Sequence, residues 1–92
     1  MNVKYKLLPQ YILHNDGTDK YMLFDTQTGG IYKLNAVSFN ILSLCSGEYT
    51  SDEIKDEILK MFDVDLDVLT EDFNDIITKF LNENIISCPT SP

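Results

Sequence analysis

The chain has 92 residues, 43% of them hydrophobic and 24% charged, including five Phe and five Tyr. That composition describes one small domain able to build a core without a metal or disulfide, and it excludes long-range disorder. All seven basic residues are lysine and the net charge is −8, so nucleic acid and anionic membrane surfaces are poor partners, both needing clustered positive charge.

The first six residues lead into no apolar stretch of secretory-signal length, and no apolar run is long enough to cross a bilayer. A cytoplasmic location is expected. Residues 10–14 (Gln-Tyr-Ile-Leu-His) predict a strand, closed by the turn signal Asn15-Asp16-Gly17. A second strand covers residues 20–25, and its apolar residues on both faces make it the central one. After Thr28-Gly29-Gly30, residues 31–34 (Ile-Tyr-Lys-Leu) form a third. Short strands joined by tight loops predict an antiparallel meander.

Past Leu34 the apolar period changes from two to 3.6. Asn35 is a good N-cap for a first helix filled by Val37, Phe39, Ile41, Leu42, Leu44 and Cys45, with Gly47 available to end it. Thr50 and Glu53 form a capping box for a second helix carrying Ile54, Ile58, Leu59 and Phe62 on one stripe. Residues 63–67 read as a connector. A third helix runs from Val68 or Thr70 to Glu83, with Leu69, Phe73, Ile76, Ile77 and Phe80 on its apolar face. Asn84 ends it, Ile85-Ile86 add a short strand, and residues 88–92 read as a tail or the start of a linker. The expected fold is an α+β domain of winged helix-turn-helix type over residues 1–87: a three-stranded antiparallel sheet followed by three helices, in the order β-β-β-α-α-α.

Charge divides along the chain, net +1 over residues 1–47 and −9 over residues 48–92. An acidic half is either a solvated face or a preference for a basic ligand. Little in the sequence points to catalysis. His14, the only histidine, has no nucleophile tied to it by spacing, and Cys45 and Cys88 match neither a metal site nor a redox pair. Asp63, Asp65 and Asp67 open like a calcium loop, but Val68 stands where such a loop needs glycine and Asn74 where it needs glutamate. There is no glycine-rich phosphate loop. What remains is recognition: the edge of the third strand could accept an extended peptide as a further strand, unless the chain itself covers it.

Particular residues then resemble a family. Tyr21-Met22-Leu23-Phe24-Asp25, Gly30-Ile31-Tyr32-Lys33-Leu34-Asn35 and Ile41-Leu42-Ser43-Leu44-Cys45-Ser46-Gly47 are followed by Tyr49-Thr50, Glu53-Ile54 and Phe62-Asp63-Val64-Asp65. A helix containing Asp72-Phe73 and a final Ile85-Ile86 complete a series that resembles the PqqD-like domains over residues 10–87. The resemblance implies a non-catalytic module, with no cofactor of its own, that binds the leader of a ribosomally made precursor peptide. It would hand the core of that peptide to a modifying enzyme, often a radical S-adenosylmethionine protein. In such domains the leader adds to the third strand and lies beside the last helix, which here implies Ile31, Tyr32, Lys33 and Leu34 with Asp72, Ile76 and Lys79. The acidic last helix and missing arginine depart from a groove built for acidic leaders and point to apolar anchors with at least one lysine or arginine. Two other readings remain: a winged-helix DNA-binding regulator, which the charge opposes, and a structural adaptor of a modifying enzyme that never touches peptide. An open strand edge allows a monomer or an edge-paired dimer.

Overall fold

The computed structural model describes residues 3–88. Its elements are β1 (Lys4–Leu7), β2 (Tyr11–Asn15), β3 (Tyr21–Asp25), β4 (Ile31–Leu34), α1 (Ala36–Ser43), β5 (Ser46–Thr50), α2 (Ser51–Met61), α3 (Leu66–Asn82) and β6 (Ile86–Ser87). They form two three-stranded antiparallel sheets, β2-β3-β4 and β5-β1-β6, against three helices. The α+β class and the meander followed by helices are as the sequence predicts. The second sheet is new. Within it β1 is central, paired with β5 on one side and β6 on the other.

Local chemistry explains most boundaries. Asn35 caps α1 by accepting the Ser38 amide at 2.7 Å. The Glu53 amide donates to the Thr50 hydroxyl at 3.2 Å while the Thr50 amide donates to the Glu53 carboxylate at 2.8 Å, the reciprocal pair that starts α2. At the end of α3, Ile85 N–H donates to Phe80 O at 2.9 Å and Asn84 N–H to Leu81 O at 3.1 Å, with Asn84 left-handed at φ 57°. This is a Schellman ending with asparagine in the usual glycine place.

Three boundaries differ from expectation. α1 stops at Ser43, before Cys45. Gly47 does take a left-handed φ of 87°, but inside β5. There the register slips from Lys6↔Ser46 to Lys4↔Thr50, so four steps along β5 face two along β1, and glycine absorbs the bulge. α3 begins at Leu66, inside the expected connector, because Asp65 stands at the N-cap and Asp67 in the first turn, where negative charge favours a helix. Of the expected tail, residues 89–92 lie outside the described residues.

The core sits where both sheets meet the helices. Leu23, Ile41, Leu42, Ile54, Ile58, Leu69, Phe73 and Ile85 are fully buried. Tyr21 of β3 packs at a tilt against Phe39 of α1 with ring centroids 5.0 Å apart, and Lys55 of α2 lies 5.5 Å from the ring centre of Phe73 in α3. The first contact ties the meander to α1 and the second ties α2 to α3, while α1 and α2 also pack on each other.

Candidate functional site

The meander has a polarity that follows from its register. β2 and β3 pair Tyr11↔Asp25, Ile12↔Phe24, Leu13↔Leu23 and His14↔Met22; β3 and β4 pair Phe24↔Ile31, Leu23↔Tyr32, Met22↔Lys33 and Tyr21↔Leu34. Residues paired across strands share a face. Tyr11, Leu23, Asp25, Tyr32 and Leu34 therefore point inward, and Ile12, Phe24, Ile31, Met22, His14 and Lys33 outward. Burial agrees: Leu23 is fully buried, whereas Ile31 is 61% exposed.

The same register fixes which backbone groups are occupied. Asp25 N–H donates to Gly30 O at 2.9 Å, and Thr26 N–H donates to Gln10 O at 2.8 Å. In an antiparallel ladder hydrogen-bonded pairs alternate. Tyr21, Leu23 and Asp25 thus turn their amides and carbonyls towards β4, and Met22 and Phe24 turn theirs towards β2. On β4, Tyr32 and Leu34 are bonded to β3. Ile31 and Lys33 turn their N–H and C=O groups away from the sheet, along an edge that no other strand pairs among the described residues.

Beside the end of that edge lies a hollow of about 310 Å³ lined by Asn35, Val37, Asp72, Asp75 and Ile76. Asn35 and Val37 follow β4 directly; the other three come from α3. Asp72 and Asp75 are exposed and form no ion pair among the described residues. A larger hollow, about 410 Å³, wraps the end of β3 and β4 and is lined by Asp19, Lys20, Tyr21, Met22, Lys33 and Leu34. Burial raises the Tyr11 pKa, and Asp25, Tyr32 and Glu83 add to the rise. The start of α1 and the Asp72–Ile76 stretch of α3 thus face each other across the smaller hollow.

The hairpin that ends in β4 is tied by Asp25. Burial raises the pKa of this carboxyl, but the amides of Gln27 and Thr28, the Thr28 hydroxyl and the Gln10 side chain outweigh it and hold the value below the ordinary 3.8. Gly29, at φ 78°, donates to Asp25 O at 2.8 Å and closes the turn.

Of the residues singled out in the sequence, Ile31, Tyr32, Lys33 and Leu34 form the open strand, and Asp72 and Ile76 line the hollow beside it. Lys79 is exposed one turn further along α3 and outside the hollow. Phe73, Ile77 and Phe80 are buried in the core. Val37, expected among the apolar residues of the first helix, and Asp75, which lies three residues after Asp72 on α3, are lining residues that the sequence does not single out. Asn35, expected as a cap, also lines the hollow. His14 is exposed on the outer face, 5.9 Å from the Phe24 ring. Cys45 is buried and Cys88 exposed, both as free thiols. No group of metal-ligating side chains occurs among the described residues.

Residues 20–86 match the family described as coenzyme PQQ synthesis protein D (PqqD). The chain belongs to the PqqD family. The match runs from the start of β3 to β6 and so includes β4, the hollow and all of α3. A solved structure described as TbiB1 in complex with the TbiA(beta) leader peptide is similar to this PqqD-family chain. It has a TM-score of 0.74 and 24% sequence identity, over 95% of this chain and 99% of that one. That likeness shows a shared fold. No curated protein matches the chain. No helix among the described residues is long and apolar enough to cross a membrane.

Proposed function

We propose that this chain is a peptide-recognition domain that captures the leader segment of a ribosomally made precursor peptide by adding it as a strand to β4. The observation that carries the reading is the set of backbone groups of Ile31 and Lys33 turned to the free edge, beside a hollow whose lining includes Val37 and Ile76. Main-chain hydrogen bonds would supply affinity and side-chain hollows would supply choice. Family membership supports it, as does the fold shared with a protein solved in complex with a leader peptide. The contact residues are then Ile31, Tyr32, Lys33 and Leu34 on the strand, and Asp72, Ile76 and Lys79 on α3, with Asn35, Val37 and Asp75 joining them.

The domain acts by capture and does no chemistry of its own. Holding the leader places the rest of the precursor at high effective concentration near a modifying enzyme, for which a radical S-adenosylmethionine protein is the class the family suggests. A short added strand with two or three apolar anchors suits a Kd of roughly micromolar, about −8 kcal/mol, after the entropy of ordering the peptide is subtracted. The charge of α3, which exposes Glu71, Asp72 and Asp75, opposes the DNA-binding alternative.

Isothermal titration with the separate leader and core halves of a precursor encoded beside this chain's gene tests the reading. The leader half should bind and the core half should not. Failure of both to bind would leave the adaptor reading in its place.

A further inference from the structure

The open edge and the hollow together dictate which side of a bound strand is read, and by what. Side chains on an added strand alternate between the two faces of the sheet. Positions beside Ile31 and Lys33 project outward. Positions beside Tyr32 and Leu34 project inward, towards α3. The inward position beside Leu34 adjoins Asn35 and Val37, and so opens onto the hollow that Asp72, Asp75 and Ile76 complete.

That hollow has two kinds of wall. Val37 and Ile76 are half-buried aliphatic side chains, whereas Asp72 and Asp75 are exposed carboxylates with no ion pair among the described residues. Lys79, the cation of this face of α3, lies outside it. A purely apolar side chain would leave the carboxylates in contact with nothing but water. An acidic one would be repelled. A lysine or arginine satisfies both walls, because its methylene stem packs on apolar surface while its charged head stays at the rim.

From this geometry, and resting on the proposed strand addition, we infer that Asp72 and Asp75 select a leader carrying a lysine or arginine at the inward position beside Leu34. The aliphatic stem lies on Val37 and Ile76, and the cationic head sits between the two carboxylates. The inward position two residues away, beside Tyr32, lies outside that hollow and takes no cation. The recognition pattern is therefore one basic residue in alternation, with its immediate neighbours on the strand facing outward and unread by α3.

Selection of binders from a displayed library of random 12-residue peptides, against the intact chain, tests this. Binders that lose affinity for Lys33→Pro are kept as edge binders. Among them a single Lys or Arg should dominate one position. Replacing it with norleucine should weaken binding to the wild type about tenfold, as expected for a charge-assisted pair at a half-open site. The same replacement should change binding to Asp72→Asn/Asp75→Asn less than about threefold. Added salt should weaken the wild-type complex and leave that of the double variant nearly unchanged. Edge binders with no basic preference, or a norleucine effect undiminished in the double variant, would overturn the inference while strand addition stands. If no recovered binder depends on the β4 edge, strand addition itself fails and the inference with it.

Discussion

Because recognition at β4 is assigned to alternate backbone groups, two neighbouring proline substitutions should have opposite consequences. Lys33 turns its N–H towards the free edge and Tyr32 turns its N–H towards Leu23. Lys33→Pro removes a donor that the folded protein does not use, at a strand edge where proline is tolerated. Its stability should change by less than about 1 kcal/mol, a Tm shift of no more than about 4–8 °C for a domain this size. A bound leader, however, would lose one hydrogen bond and keep an unpaired carbonyl. That costs about 1–3 kcal/mol, or roughly 5- to 150-fold in Kd. Tyr32→Pro instead takes away the bond to Leu23, a residue 0% exposed, together with a half-covered aromatic ring. It should destabilise the fold by about 2–4 kcal/mol. Thermal denaturation and leader titration of both variants separate the two effects, and amide exchange gives a direct view. Ile31 and Lys33 amides should exchange quickly in the free protein and slow down with leader, while Tyr32 and Leu34 are slow throughout. If the exchange pattern is inverted, or if Lys33→Pro binds leader as the wild type does, the alternation assigned to β4 is wrong.

Three further outcomes are expected. Asn84→Ala should cost about 1 kcal/mol in chemical denaturation, since alanine tolerates the left-handed backbone at φ 57° poorly, whereas Asn84→Gly should not destabilise. Burial pushes the Cys45 thiol up to about 12, so maleimide at pH 8 should modify Cys88 and spare Cys45 until the protein unfolds. The Asp25 carboxyl is held below its ordinary 3.8 in the fold, so its ionised form is the one the fold favours. The resulting stability is complete above that value and is lost as pH falls through the depressed one, and Asp25→Asn should lessen the acid sensitivity seen in thermal melts below pH 4.

The elements legible in the sequence are those that local chemistry decides. β2, β3 and β4 announce themselves by alternation and by the turns between them, and α2 by its capping box. β5 does not, because Ser-Gly-Glu-Tyr-Thr has no apolar alternation and opens on residues that disfavour strands, glycine above all; it is extended because β1 pairs with it. β1 is short and runs into Leu8-Pro9, and β6 has two residues. The start of α3 was hidden for the opposite reason: alternating Asp and apolar residues look like an irregular connector until Asp65 is placed at a cap. The site divides the same way. A short strand before a helix marks an edge, whereas the partnership of Val37 with Asp75 and Ile76 arises only from the way α3 crosses the beginning of α1.

The central place of β1 has a consequence for how the protein is made. Its partners are residues 46–50 and 86–87, so the second sheet cannot close until residue 87 has left the ribosome. The meander, built from near neighbours, can pair long before that. During this interval residues 4–7 wait as a lone strand, the kind of segment that seeds clumping between nascent chains. Lys4 and Lys6, both exposed, alternate with Tyr5 and Leu7, and their charge guards the waiting segment until its own chain arrives.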